Sequence, residues 1–210
     1  MNDTNHTLIL EACVETLKDA LLAQKRGANR IELCSALDQE GLTPSPELTM
    51  QCVEQLSVPV MTMVRPRGGD FVYSESEIKQ MESEIEFFKQ ARVAGVVFGL
   101  LTKEGTIDIE NTCRLAKLAS PLEVTFHKAI DYSVDVYKVF KELNAIEGVT
   151  RVLTSGGKDT AWNGREILKQ MQELQGRKIK IIAAGKITPE NYTQIAEFTG
   201  VTELHGKRIV

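Results

Sequence analysis

One rhythm constrains this chain more than anything else in it. Short runs rich in strand-forming residues, TLILEACV, NRIELC, VPVMTMVR, GVVFGLL, EVTFHKA, TRVLTS, IKIIAAG and TELHG, begin about every 20 to 30 residues and alternate with amphipathic, helix-prone stretches. Eight strands and seven helices follow from that alternation. Helix starts are marked as well. Ser45-Pro46-Glu47 and Thr188-Pro189-Glu190 each place a cap residue ahead of a proline, and Ser74 to Glu77 reads as a capping box opening a long surface helix. Strict alternation without a Gly-, Pro- or Ser-rich linker calls for a parallel sheet. Eight strands in 210 residues fit a closed, TIM-like (β/α)8 barrel forming one domain over residues 1–210. An open Rossmann-like sheet is the alternative, disfavoured because the first strand-to-helix turn carries no glycine-rich fingerprint.

Composition narrows the function classes. With 42% hydrophobic residues the chain can bury a sizeable core, and a formal net charge of −4 with scattered Lys and Arg gives no nucleic-acid footprint. No apolar segment reaches the roughly 18 residues needed to cross a bilayer. The polar start MNDTNHT lacks the regions of a signal peptide, so the expected location is the cytoplasm. Cys13, Cys34, Cys52 and Cys113 show no CxxC spacing, so reduced thiols are expected; Cys52 and Cys113 fall on helices and read as core residues. Only Gly206 to Val210 follow His205, too little chain for the helix that usually closes such a barrel. The expectation is a barrel lacking its final helix, with a second copy covering that flank as a homo-oligomer.

Side chains on a barrel strand alternate between interior and helix-facing sides. Counting by two puts Glu11 and Cys13, then Arg30, Glu32 and Cys34, then Met61, Met63 and Arg65 inward, together with Glu123, Thr125, His127, Glu203 and His205. The opposite faces hold Leu10, Ala12, Ile31, Leu33, Val60, Val64, Val124, Phe126 and Leu204, which suits packing against helices. Charges inside a barrel must be paired or put to use, since an unpaired buried charge costs several kcal/mol or about that order. A purely structural network is one reading of the deeper carboxylates and Arg30. Residues at the carboxyl ends of the strands stand where barrel enzymes place their chemistry.

Two chemistries fit that mouth. In the first, a small anionic substrate, phosphate or carboxylate, is clamped by Arg65 and Arg67 of RPRGGDF, two guanidiniums beside glycines that let the backbone turn. Asp70 neutralising one of them is the structural alternative. His127 serves as acid or base with Asp131 orienting it, while Lys128 points to the other face and Glu11 and Glu32 position the substrate. Arg30, Thr154, Ser155, Gly156, Gly185 and His205 complete the candidate substrate contacts. In the second chemistry, Cys13 and Cys34, of equal parity on adjacent strands, offer soft thiolates to a Cu(I) ion with Met61 or Met63 nearby. Ordinary core burial remains open for both cysteines.

The segments LEACVETLKDALLAQKRGANRIELCSALDQEGLTPSPE, VMTMVRPRGGDFVYS, VTFHKAID and RVLTSGG resemble the CutC family of copper homeostasis proteins. The likeness runs over nearly the whole chain in the same order. It implies a TIM-like barrel, a cytoplasmic oligomer and Cu(I) binding, with the family's copper-linked cysteines falling at Cys13 and Cys34. The chain departs from the family pattern in having Lys128 where arginine is usual after the strand-five histidine, and in stopping where many members continue.

Overall fold

The computed structural model describes residues 7–210. The polar start used above to argue against a signal peptide lies, apart from Thr7, outside the described residues. Eight strands, β1 (Ile9–Val14), β2 (Arg30–Leu33), β3 (Val60–Met63), β4 (Gly95–Phe98), β5 (Glu123–Phe126), β6 (Val149–Thr154), β7 (Lys180–Ala183) and β8 (Glu203–Gly206), pair in sequence order as a closed parallel barrel. Among the described residues seven α-helices alternate with them: α1 (Leu17–Lys25), α2 (Pro46–Gln55), α3 (Glu75–Ala91), α4 (Ile109–Ala119), α5 (Val136–Leu143), α6 (Arg165–Gln172) and α7 (Tyr192–Thr199). The open Rossmann-like alternative is thereby excluded.

Local sequence explains most helix starts. Ser45 accepts from the Leu48 amide ahead of Pro46, and Ser74 and Glu77 form the expected reciprocal capping box on α3. The start at Thr188-Pro189 is corrected: residues 189–191 form a turn, α7 begins at Tyr192, and Asn191 uses its side-chain oxygen to hold the Thr188 amide. Among the described residues no helix is long and apolar enough to cross a membrane.

Closure does not wait on an eighth helix. β1 and β8 pair from Ile9↔Glu203 to Ala12↔Gly206, and the segment after β8 folds back so that Ile209 is buried in the outer layer. That outer layer, between strands and helices, contains Ile31, Leu33, Val60, Val124, Phe126 and Leu204 packed with Ile78, Ile85, Phe88, Leu115 and Phe140. Each such side chain contributes about 1.5–3 kcal/mol by leaving water. Among the described residues the barrel interior holds two small apolar groups, Cys13, Cys34, Met61, Met63 and Val97 on one side and Leu153, Ile182 and Ala184 on the other. Polar residues fill the rest, which makes the interior the place to look for function.

Candidate functional site

At the amino-terminal end of the barrel the interior charges pair off. Arg30 donates through Nε to Glu11 and through Nη2 to Glu203 Oε2 at 2.6 Å. Arg151 donates to the same Glu203 oxygen at 2.9 Å and to Glu123 at 2.6 Å. Burial alone would raise the Glu11 carboxyl, but Arg30 and His205 hold it down at about 2. Against the same burial, Arg30 and Arg151 lower Glu203. This floor is closed by ion pairs among its own members, so Arg30 is not free to contact a substrate. Arg151 was missed in the sequence because strand six, VTRVLT, shows no clean alternation: Leu153 shares its inward face while polar Thr154 faces the other way.

One layer up lie the thiols. Register pairs Cys13 with Glu32 across β1 and β2, and Cys34 follows two residues further on β2's inward face. The two sulfurs stand 3.9 Å apart, and Cys34 Sγ is 3.6 Å from Glu32 Oε2. His205 reaches in from β8 with Nδ1 2.8 Å from Glu11 and Nε2 3.7 Å from Glu32. Donor atoms of Cys13, Glu32 and His205 all lie within 4.8 Å of one another. Both thiols are held protonated. Its hydrogen bond with Cys34, then burial, raises Cys13 well above its ordinary value; Cys34 gains from the bond to Cys13, yet burial and the Glu32 carboxylate push it up to about 11. Burial opposes a charge on His205, but the Glu32 carboxylate and bonds to Cys13 and Glu11 hold it well above its usual range. Gly41 makes room for this layer: a Cβ there would sit 3.1 Å from Cys34 Sγ, and its φ of +92° suits glycine.

The mouth is a cavity of about 430 Å³ bounded by the thiol layer and the residues above it, among them Cys13, Glu32, Met63, Arg65, Phe71, His127, Lys128, Tyr132, Leu153, Lys186, His205 and Lys207. Arg65 is buried, with Nη1 donating to the carbonyls of Gln39 and Gly41 and Nη2 to that of Gly69. His127 Nδ1 accepts from the Ala129 amide at 3.1 Å, which caps the 3₁₀ turn Lys128–Tyr132. Burial, and then the Arg65 guanidinium, lower His127 to about 3. The imidazole is therefore neutral, with its proton on Nε2. A base poised near neutrality, expected from its unperturbed value, is replaced by a fixed hydrogen-bond donor.

Several sequence candidates stand elsewhere. Arg67 is a loop staple: Asp70 takes one nitrogen at 2.9 Å, Glu77 another at 2.5 Å, and the carbonyls of Gly68, Asp70 and Val72 fill the rest. It does not line the cavity, so the two-arginine clamp reduces to Arg65. Asp131 does not orient His127. Its oxygens accept from Thr154 Oγ1, the Ser155 and Gly157 amides, Ser155 Oγ and Lys128 Nζ. Those same bonds occupy the groups of Thr154 and Ser155 expected to face an anion, and the Gly156 amide turns back to Thr154 Oγ1. Gly185 lines a neighbouring cavity with Lys186 and Thr188. Lys128, expected to point away, lines the mouth. Cys52 is buried as expected, whereas Cys113 is exposed on α4.

The sequence pattern of the CutC family matches residues 8–210. This chain belongs to the CutC family. A CutC family protein of Histophilus somni is 39% identical over 196 residues, covering 93% of this chain and 80% of that one. The relative called copper homeostasis protein cutC homolog in Homo sapiens is 40% identical over 197 residues, covering 94% of this chain and 72% of the human one. A solved CutC structure from Streptococcus agalactiae superposes with a TM-score of 0.90 at 33% identity, covering 97% of this chain and 100% of that chain. CutC membership thus accords with the barrel found here.

Proposed function

We propose that this chain acts in cytoplasmic copper homeostasis by binding Cu(I) through Cys13 and Cys34. The observation that carries the reading is the pair of buried sulfurs 3.9 Å apart, of which Cys13 lines an open cavity and Cys34 lies behind it. Two thiols on rigid neighbouring strands form a soft donor set, which favours Cu(I) over harder cations. Met61 and Met63 belong to the same interior group and add polarisable thioethers to its walls. Glu32 Oε2, 3.6 Å from Cys34 Sγ, puts a carboxylate oxygen beside the sulfurs. The family name borne by the human relative points to the same metal. A reducing compartment keeps both sulfurs available, since oxidation would link or cap them.

Competition for Cu(I) against a chromophoric chelator tests this. Cys13→Ser with Cys34→Ser is expected to abolish stoichiometric binding, while Arg67→Ala, whose side chain lies outside the cavity, retains it. Wild-type protein that fails to compete, or a double serine variant that competes equally well, would overturn the assignment. Thermal melts of both variants separate loss of ligand from loss of fold.

A further inference from the structure

We propose that the mouth cavity is also a binding site for a small 2-hydroxy carboxylic acid with an apolar body, held by Arg65, His127 and Glu32. The proposal rests on three polar atoms of residues lining one cavity: Arg65 Nε, His127 Nε2 and Glu32 Oε1 are all buried and have no hydrogen-bond partner. An unpaired buried polar group is costly, so three of them on residues that line one cavity favour a ligand that completes them.

The missing ligand's charge can be read from the arginines. Three arginines are buried, Arg30, Arg65 and Arg151. Arg30 and Arg151 each hold carboxylates, whereas Arg65 has no carboxylate partner among the described residues; it donates to backbone carbonyls and interacts with the uncharged Tyr73 hydroxyl. A buried guanidinium without a counter-ion is the strongest attractor of an anion in the barrel. Of the other cations lining the cavity, Lys128 is tied to Asp131 and Ser155 and His205 to Glu11, while Lys186 and Lys207 are exposed at the rim, so Arg65 is the buried one without a counter-ion. One uncompensated buried charge suits a carboxylate monoanion better than a phosphate ester carrying about two charges.

The second and third atoms specify what stands beside the carboxylate. Phe71 holds Arg65 and His127 together, its ring 5.1 Å from the imidazole and 4.9 Å from the guanidinium carbon. With Nδ1 accepting from Ala129, the imidazole offers Nε2–H as a donor. Its depressed basicity keeps it neutral across the physiological range. In the proposed complex, a hydroxyl next to the carboxylate accepts from Nε2–H and donates to Glu32 Oε1. Phe71, Tyr132, Met63 and Leu153 give the cavity apolar walls for the body of the acid, and about 430 Å³ is a usual size for a small-molecule site.

Titration calorimetry with 3-phenyllactate, 3-phenylpropanoate and phenyl phosphate tests the proposal. Copper-free buffer with a chelator separates its fate from that of the copper reading. One 3-phenyllactate enantiomer is expected to bind at least about tenfold more tightly than 3-phenylpropanoate, which lacks only the hydroxyl. His127→Asn, which keeps an oxygen to cap Ala129 but loses the Nε2 donor, is expected to erase that advantage. Arg65→Lys, which keeps the charge but moves the donor, is expected to weaken both carboxylates about tenfold or more. The idea is overturned by no saturation with either carboxylate at millimolar concentration, by phenyl phosphate binding as tightly as 3-phenyllactate, or by unchanged binding in both folded variants.

Discussion

His205 Nδ1 lies 2.8 Å from Glu11 Oε1, and this contact joins the ionic floor of the barrel to its thiol layer. Glu11 is tied on its other side to Arg30, and His205 faces Glu32 across 3.7 Å, so charge alternates from the floor toward the sulfurs. The floor therefore fixes the residues that surround Cys13, and disturbing it is expected to be felt in folding before it is felt in binding.

Arg30→Met tests that dependence. The change removes a cation from both Glu11 and Glu203, two carboxylates that remain buried. Stranding one partner of a buried pair costs about 3–5 kcal/mol. Adding Glu11→Gln removes one stranded charge, and the double variant is expected to recover part of the loss. Urea unfolding at neutral pH measures both; a single variant within about 1 kcal/mol of wild type would show that the floor is not a stabilising network.

Proton release on metal binding follows from the state of the thiols. Cys13 is raised well above its ordinary value and Cys34 pushed up to about 11, so both sulfurs carry protons near neutrality. Because Cu(I) takes thiolates, binding must expel those protons and the apparent affinity must fall as pH falls. Calorimetry in buffers of different ionisation enthalpy is expected to show release approaching one proton per sulfur. Zero release would mean that the thiolates are formed before the metal arrives.

Stability of the metal-free protein should fall on both sides of pH 6.5. His127 binds its proton at about 3 when folded and at 6.5 when exposed, so the unfolded chain takes up more protons between those values. Stability from keeping His127 neutral is fully present above 6.5 and is lost as pH falls toward 3. His205 has the opposite sign: its raised folded value gives stability that is present below 6.5 and lost as pH rises through that folded value. A tenfold change in proton affinity is worth about 1.4 kcal/mol, so the acid loss reaches a few kcal/mol in order of magnitude. Urea midpoints measured from pH 4.5 to 9 check this, and His127→Asn is expected to flatten the acid limb between 6.5 and 4.5 selectively. An acid limb unchanged in that variant would assign it to other groups.

Much of this arrangement was legible in the sequence because strand parity is a rigid rule. Counting by two separated Glu11, Cys13, Glu32 and His205 from Ala12, Ile31, Leu33 and Leu204, and the barrel divides them the same way. What parity cannot show is which partner arrives from a distant element. Arg67 looked like half of an anion clamp, but Glu77, on the first turn of α3, captures it. Asp131 lies four residues after His127, yet β6 ends beside it and offers amides that win its oxygens. Burial, a property of the whole fold, converts His127 from a base near neutrality into a neutral donor. Sequence thus located the mouth, while tertiary contacts decided which of its charges remain free.

Gly99 holds the last part of that mouth open. A Cβ at this position would stand 2.5 Å from His127 Nδ1 and 3.0 Å from the Ala129 side chain, while the bond from the Ala129 amide keeps the imidazole from turning away. Gly99→Ala is therefore expected to cost about 1–3 kcal/mol of stability by overpacking. It is also expected to shift the His127 imidazole resonances, because the ring must move or its cap must break. Cu(I) stoichiometry should be unchanged, since Cys13 and Cys34 are carried by β1 and the end of β2, not by β4. Urea unfolding, histidine-labelled NMR and chelator competition give the three readings. An alanine variant as stable as the parent with unmoved imidazole signals would show that the ring is not wedged against this strand.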